Sequence, residues 1–96
     1  MSVYAIAQLS FKDRRAYARY QARFMDVLKK SRDGRLLVAD EAPLQLEGRW
    51  DREKLVIIAF PDEPAFREWN ESPEYQEIVK DRKAGADAVV LLARGI

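Results

Sequence analysis

Tyr75 and Arg82 are the two side chains of this sequence best placed to do chemistry together. Seven residues apart, they share one face if a single helix runs through both. A guanidinium offers a planar fork of donors and a phenol one more, which suits an anionic or enolic ligand with developing negative charge. The same spacing also fits a packed Tyr75 and an Arg82 paired with a carboxylate at a helix end. Asp40, Glu41 and Glu47 surround the end of a strand-like run, where a carboxylate can act as a base if it is desolvated, and solvation at the sheet edge is the alternative reading. Tyr17, Tyr20, Trp50 and Trp69 suit the wall of a pocket or an apolar core equally well. The candidate ligand-binding set is Tyr20, Glu41, Trp69, Tyr75 and Arg82. No catalytic residue is singled out, and neither a metal nor a cofactor is expected.

Absent residue types narrow the chemistry. The chain has no histidine, which removes the commonest general base near neutral pH and the usual zinc and haem ligand. It has no cysteine, which removes disulfides, thiolate metal sites and thiol nucleophiles, and suits the reducing cytoplasm. Gly34, Gly48, Gly85 and Gly95 are isolated, so no glycine-rich turn cradles a phosphate. Charged residues make up 34% of the chain, but the net charge is only +1, too little for a global field that attracts nucleic acid or an acidic membrane. Arg15, Arg19 and Arg23, extended by Lys29, Lys30 and Arg32, form a basic stripe that reads as a solvated face. Sheet-based RNA readers stack bases on strand aromatics, whereas Leu55 to Phe60 offers mainly aliphatics, so no nucleic-acid partner is expected.

The elements that must position these groups follow from periodicity and punctuation. Val3 to Leu9 reads as a largely buried strand. Asp13 can cap a helix carrying Tyr17, Tyr20, Phe24, Val27 and Leu28 on one stripe, and Gly34 is expected to end it. Arg35 to Asp40 is a second strand, which Pro43 and the alternating Leu44-Gln45-Leu46-Glu47 should continue as an exposed edge segment. Gly48 to Arg52 is a turn, and Leu55 to Phe60 is the expected central strand. Pro61-Asp62-Glu63-Pro64 starts a helix with Ala65, Phe66 and Trp69 inside, and Ser72-Pro73 breaks it and starts another carrying Tyr75, Ile78 and Val79. Gly85 closes that helix, and Asp87 to Ala93 is the last strand.

With right-handed crossovers, this order gives one α+β domain over residues 1–96: a ferredoxin-like plait, βαββααβ, with helices on one face of a four-stranded antiparallel sheet. No leader peptide is read at the N-terminus, and no apolar run approaches the roughly 20 residues that span a bilayer. No membrane partner is expected.

In such a plait each strand should alternate, yet Leu55 to Phe60 and Ala88 to Ala93 are apolar on both parities. Leaving about six such side chains in water forgoes roughly 1.5–3 kcal/mol each, comparable with the cost of association. A sheet-to-sheet homodimer is therefore expected, with Ile57, Ile58, Val90 and Leu91 at its interface, unless another partner or a ligand covers that face.

Asp13 with Tyr17 and Tyr20, Leu46-Glu47-Gly48-Arg49-Trp50, Trp69-Asn70-Glu71-Ser72-Pro73-Glu74-Tyr75-Gln76, Arg82 and Gly95 together resemble the family catalogued as domain of unknown function 1330, over essentially the whole chain. The Trp-x-x-Ser-Pro-Glu-Tyr segment is the most specific part. That family is similar in fold to the dimeric α/β barrels, whose ligands sit between sheet and helices. The resemblance implies cofactor-independent monooxygenases, haem-degrading enzymes, isomerases and stress-response proteins as distant kin, and fold kinship of that breadth assigns no chemistry. The absence of histidine argues against haem degradation. Three readings follow: a homodimeric small-molecule binder, a cofactor-independent oxygenase or isomerase of an enolisable substrate, and a non-catalytic interaction or stress-response module.

Overall fold

The computed structural model describes residues 1–96. In chain order the elements are β1 (Val3–Phe11), α1 (Arg14–Leu28), β2 (Arg35–Asp40), β3 (Lys54–Phe60), α2 (Glu63–Asn70), α3 (Pro73–Gly85) and β4 (Ala86–Arg94). The strands form one sheet in the order β2-β3-β1-β4, every neighbouring pair antiparallel. The β-branched run of β3 is thus internal, as its composition demands. All three helices lie over one face, giving a slab of 34 × 33 × 16 Å, thin because it has only two layers.

Local chemistry sets the helix starts. The Asp13 carboxylate accepts from the backbone N–H of Arg15 and Ala16, Asp62 from Ala65, and the Ser72 hydroxyl from Tyr75. One end differs from expectation. α1 stops at Leu28, and the turn that follows places Asp33, not Gly34, at positive φ, 58°. Gly34 is needed for space instead, because a Cβ there would lie 2.8 Å from the Phe60 ring. Likewise Leu44-Gln45-Leu46-Glu47 pairs with no strand, and Leu44 and Leu46 stand 86% and 83% exposed in the connection from β2 to β3.

Gly85 is where α3 meets α1. A Cβ there would sit 2.5 Å from the Tyr17 nitrogen and 2.8 Å from the Asp13 carbonyl oxygen, backbone atoms that cannot rotate away. The Gly85 carbonyl in turn accepts from the N–H groups of Lys12 and Asp13, at 2.8 and 3.1 Å. An alanine would gain up to about 1 kcal/mol in helix propensity. Gly85→Ala should nevertheless destabilise the protein by about 1–3 kcal/mol, because overpacking against backbone outweighs that gain. Urea denaturation measures it, and an unchanged midpoint would show that the helices can simply move apart.

The register separates the two sheet faces. Ala5 pairs with Ile58 and Leu92, Ala7 with Val56 and Val90, and Leu9 with Lys54 and Ala88. These residues share the parity of the buried Val3, Ala5, Leu9, Ile58 and Phe60, the face under the helices. Ile6, Ile57 and Leu91 are matched across β1, β3 and β4 on the opposite, open face. Of the four residues expected at a dimer interface, Ile57 and Leu91 therefore point away from the helices. Ile58, 6% exposed, and Val90 belong to the helix side, because a strand turns successive side chains to opposite faces. Leu91 is 54% exposed and Val89 40%, while Trp50 donates to the Gln8 amide oxygen at 2.9 Å, also on the open face.

Candidate ligand-binding site

A cavity of about 480 Å³ lies between the helices and the sheet, within the range of small-molecule sites. Its floor explains why it exists. β1 presents Ala5 and Ala7 to the helices, and β2 presents Ala39, so small side chains leave room where leucines would fill it. A bulge between Leu36 and Val38 brings Leu36 and Ala39 to the same face. The opposing wall is aromatic: Tyr17, Tyr20 and Phe24 from α1, Trp69 from α2 and Tyr75 from α3.

Those rings are mutually braced. Trp69 and Tyr75 have centroids 4.1 Å apart, Tyr20 meets Tyr75 edge-on at 6.2 Å, and the Tyr20 and Tyr75 hydroxyls are 3.1 Å apart. In such a pair one hydroxyl donates to the other, which leaves the acceptor's own O–H available to a third group. Burial pushes the Tyr17 phenol up to about 12, with the Glu41 carboxylate adding to the shift and Arg82 opposing it. Burial raises Tyr20 further, reinforced by Tyr75. Both phenols stay neutral at physiological pH and act as donors, not bases.

These shifts fix an alkaline response. An unfolded tyrosine ionises near its ordinary value of 10.0, while folded Tyr17 holds its proton to about 12. The stabilising difference is complete below the first value and is lost as pH climbs through the second. Lys54 works in the opposite sense: burial lowers its pKa, against the pull of Glu41, so stability rises with pH until the ordinary lysine value of 10.5. Thermal midpoints taken from about pH 9 to about pH 11.5 should fall steeply above about pH 10, and less steeply in Tyr17→Phe. A flat profile would contradict this.

The positive groups are unusual in how little opposes them. Arg82 lines the cavity half-buried and takes part in no ion pair. The competing expectation of a carboxylate partner is not met. Lys54 is 3% exposed, its ammonium 4.7 Å from the centre of the Tyr17 ring and 4.0 Å from the Glu41 carboxylate. No aspartate or glutamate is among the 22 lining residues. Trp69 contributes a buried indole N–H without an acceptor.

Four of the five candidate ligand residues, Tyr20, Trp69, Tyr75 and Arg82, thus meet in one cavity. Glu41 stays outside its lining, half-exposed behind Lys54, and bridges to Arg14 at 3.4 Å. Asp40 and Glu47 are exposed, so none of the three acidic residues is the desolvated base considered from the sequence. Trp50 lies on the open face instead. On the basic stripe, Arg19 pairs with Asp81 and Arg32 with Asp62. Lys54 was not anticipated. Its signal was the alternation Lys54-Val56-Ile58-Phe60, which puts a lysine on the parity that runs under the helices.

Over residues 2–96 the sequence matches the family described as Domain of unknown function (DUF1330). The chain belongs to the DUF1330 family. No curated protein matches it. Among solved structures, this DUF1330 chain is similar to RPA0582, a protein of unknown function from Rhodopseudomonas palustris, with TM-score 0.82 and 20% identity over 99% of this chain and 82% of that one. It is similar to SnoaB, a cofactor-independent oxygenase from Streptomyces nogalater, with TM-score 0.71 and 14% identity over 99% and 93%. A dimeric ferredoxin-like protein of unknown function from Thermobifida fusca gives TM-score 0.66 and 16% identity over 98% and 92%. At these identities the likeness establishes the ferredoxin-like fold of the DUF1330 chain and not its activity. No helix is long and apolar enough to cross a membrane.

Proposed function

We propose that the protein is a cytoplasmic homodimer that binds a small organic anion or enolate with an apolar body between its sheet and its helices. The observation that carries this reading is Arg82: a half-buried guanidinium without an ion-pair partner, on the wall of an apolar cavity that holds no carboxylate. Leaving such a charge uncompensated is unfavourable, and an anionic ligand supplies the missing partner. The spare hydroxyl proton of the Tyr20–Tyr75 pair adds a donor, while the rings supply contact for a flat apolar body. The dimer is supported by the matched row of Ile6, Ile57 and Leu91 on the open face, and by the dimeric protein among the structural relatives.

The test is calorimetric titration with 1-naphthoate, set against the uncharged 1-naphthamide. A hydrogen-bonded contact to a charged group contributes about 1.5–3 kcal/mol, so Arg82→Ala should weaken naphthoate binding roughly 10- to 100-fold and leave the amide nearly unaffected. Equal naphthoate affinities for wild type and variant would defeat the assignment.

The enzymatic reading, cofactor-independent oxygenation or isomerisation of an enolisable substrate, draws on the oxygenase among the structural relatives and on one chemical observation, the buried Lys54. It lacks a carboxylate base in the cavity, and the Tyr17 and Tyr20 phenols are neutral. Binding is therefore the better-supported function.

A further inference from the structure

We infer that Lys54 is a reactive amine that condenses with a carbonyl group of the bound molecule, so that the cavity takes an oxo acid bearing both an aldehyde or ketone and an anionic group. This rests on the proposed binding of an organic anion and adds the second functional group of the ligand.

Three features together mark Lys54 as the candidate amine. The first is its position: it opens β3 opposite Leu9, which is 1% exposed, on the parity that Val56, Ile58 and Phe60 devote to the core. Lys12, Lys29, Lys30, Lys80 and Lys83 are all on the surface. The second is that little compensates the burial beyond the Tyr17 ring face, 4.7 Å from the ammonium. The amine makes no hydrogen bond, and its ion pair with Glu41 is long, at 4.0 Å, and shared with Arg14. A buried ammonium so poorly compensated is destabilising compared with a neutral amine or an apolar side chain. The third, shared among the lysines only with the exposed Lys83, is access, since Lys54 lines the cavity in which Arg82 and the tyrosine hydroxyls also lie.

A desolvated lysine beside few counter-charges favours the neutral form, which carries the nucleophilic lone pair. Burial lowers the Lys54 pKa in keeping with this. The lone pair attacks the carbonyl carbon while the carbonyl π electrons move to oxygen. A proton passes from nitrogen to that oxygen, giving a carbinolamine. Departure of the hydroxyl with a proton releases one water and leaves the carbon–nitrogen double bond. Amine and carbonyl thus become imine and water, with no oxidant or reductant. The ammonium proton leaves to solvent before attack, and one returns from solvent at dehydration. Arg82 holds the anionic group meanwhile.

The probe is 4-carboxybenzaldehyde with sodium cyanoborohydride, applied to the full chain near neutral pH, with the adducts located by peptide mass spectrometry. Lys54 should be alkylated at least about ten-fold faster than any surface lysine. Arg82→Ala should slow that adduct about ten-fold, and excess 1-naphthoate should suppress it. Lys54→Arg should lose it while other lysines label as before. Labelling spread evenly over the lysines, or a preferred adduct elsewhere, overturns the inference. If naphthoate binds in an Arg82-dependent way and Lys54 stays unmodified, the reactive amine is wrong and the anion site stands. If Lys54 alone is modified but naphthoate gives no protection, the amine stands and the anion site fails.

Discussion

Ile57→Asp should break the proposed sheet-to-sheet dimer into folded monomers at micromolar concentration. Ile57 lies in the cross-strand row with Ile6 and Leu91 on the face that carries no helix. In a two-fold interface each substitution appears twice, so two carboxylates would be desolvated without partners. At about 2 kcal/mol or more for each, the dissociation constant should rise by roughly a thousand-fold or more. Ile58→Asp is the control. Ile58 is only 6% exposed beneath the helices, so the same charge one residue later should unfold the subunit and not merely separate two copies. Sedimentation velocity with circular dichroism distinguishes the cases. A dimer that survives Ile57→Asp, or a wild type that sediments as a monomer, would contradict sheet-to-sheet association.

Lys54→Met should have effects of opposite sign on stability and on function. Methionine matches the lysine stem in length and suits an apolar site, while Glu41, freed of the ammonium, remains half-exposed and close to Arg14. Replacing a poorly paired buried charge in this way is expected to gain about 1–4 kcal/mol. The same substitution removes the amine that we assign to carbonyl capture, so the trapped adduct should vanish although the fold is firmer. Guanidinium denaturation beside the trapping assay gives both readings. A destabilised variant would mean that the Lys54–Glu41 pair and the cation over the Tyr17 ring contribute more than burial takes away.

Much of the scaffold was legible because local chemistry and periodicity agreed. Asp13 and Ser72 cap the helices expected of them, Pro61-Asp62-Glu63-Pro64 starts a helix as expected, the tyrosine stripe of α1 points inward, and β3 lies inside the sheet. The sequence also placed Tyr75 and Arg82 on one helical face, and both line the cavity.

What it could not resolve has physical reasons. A strand that is apolar on both parities carries no information about which side meets the helices, so Ile57 could not be separated from Ile58. The turn after α1 lies at a sharp corner, where Asp33 adopts the left-handed conformation and Gly34 is required by the Phe60 ring instead. Pro43 to Glu47 alternates like a strand, but alternation without a neighbouring strand to bond to gives an exposed connection. Lys54 carries no signal of burial by itself, because a lysine at a strand start usually reads as solvated. Only the register with Leu9 shows that its parity is the buried one.

The most direct measurement is a crystal structure of the protein with 1-naphthoate. The carboxylate should lie within about 3 Å of the Arg82 guanidinium, with the ring system seated between Ala5 and Ala7 of β1 and the aromatic wall of Trp69 and Tyr75. Naphthoate bound on the open sheet face, or seated in the cavity with its carboxylate turned away from Arg82, would contradict the account.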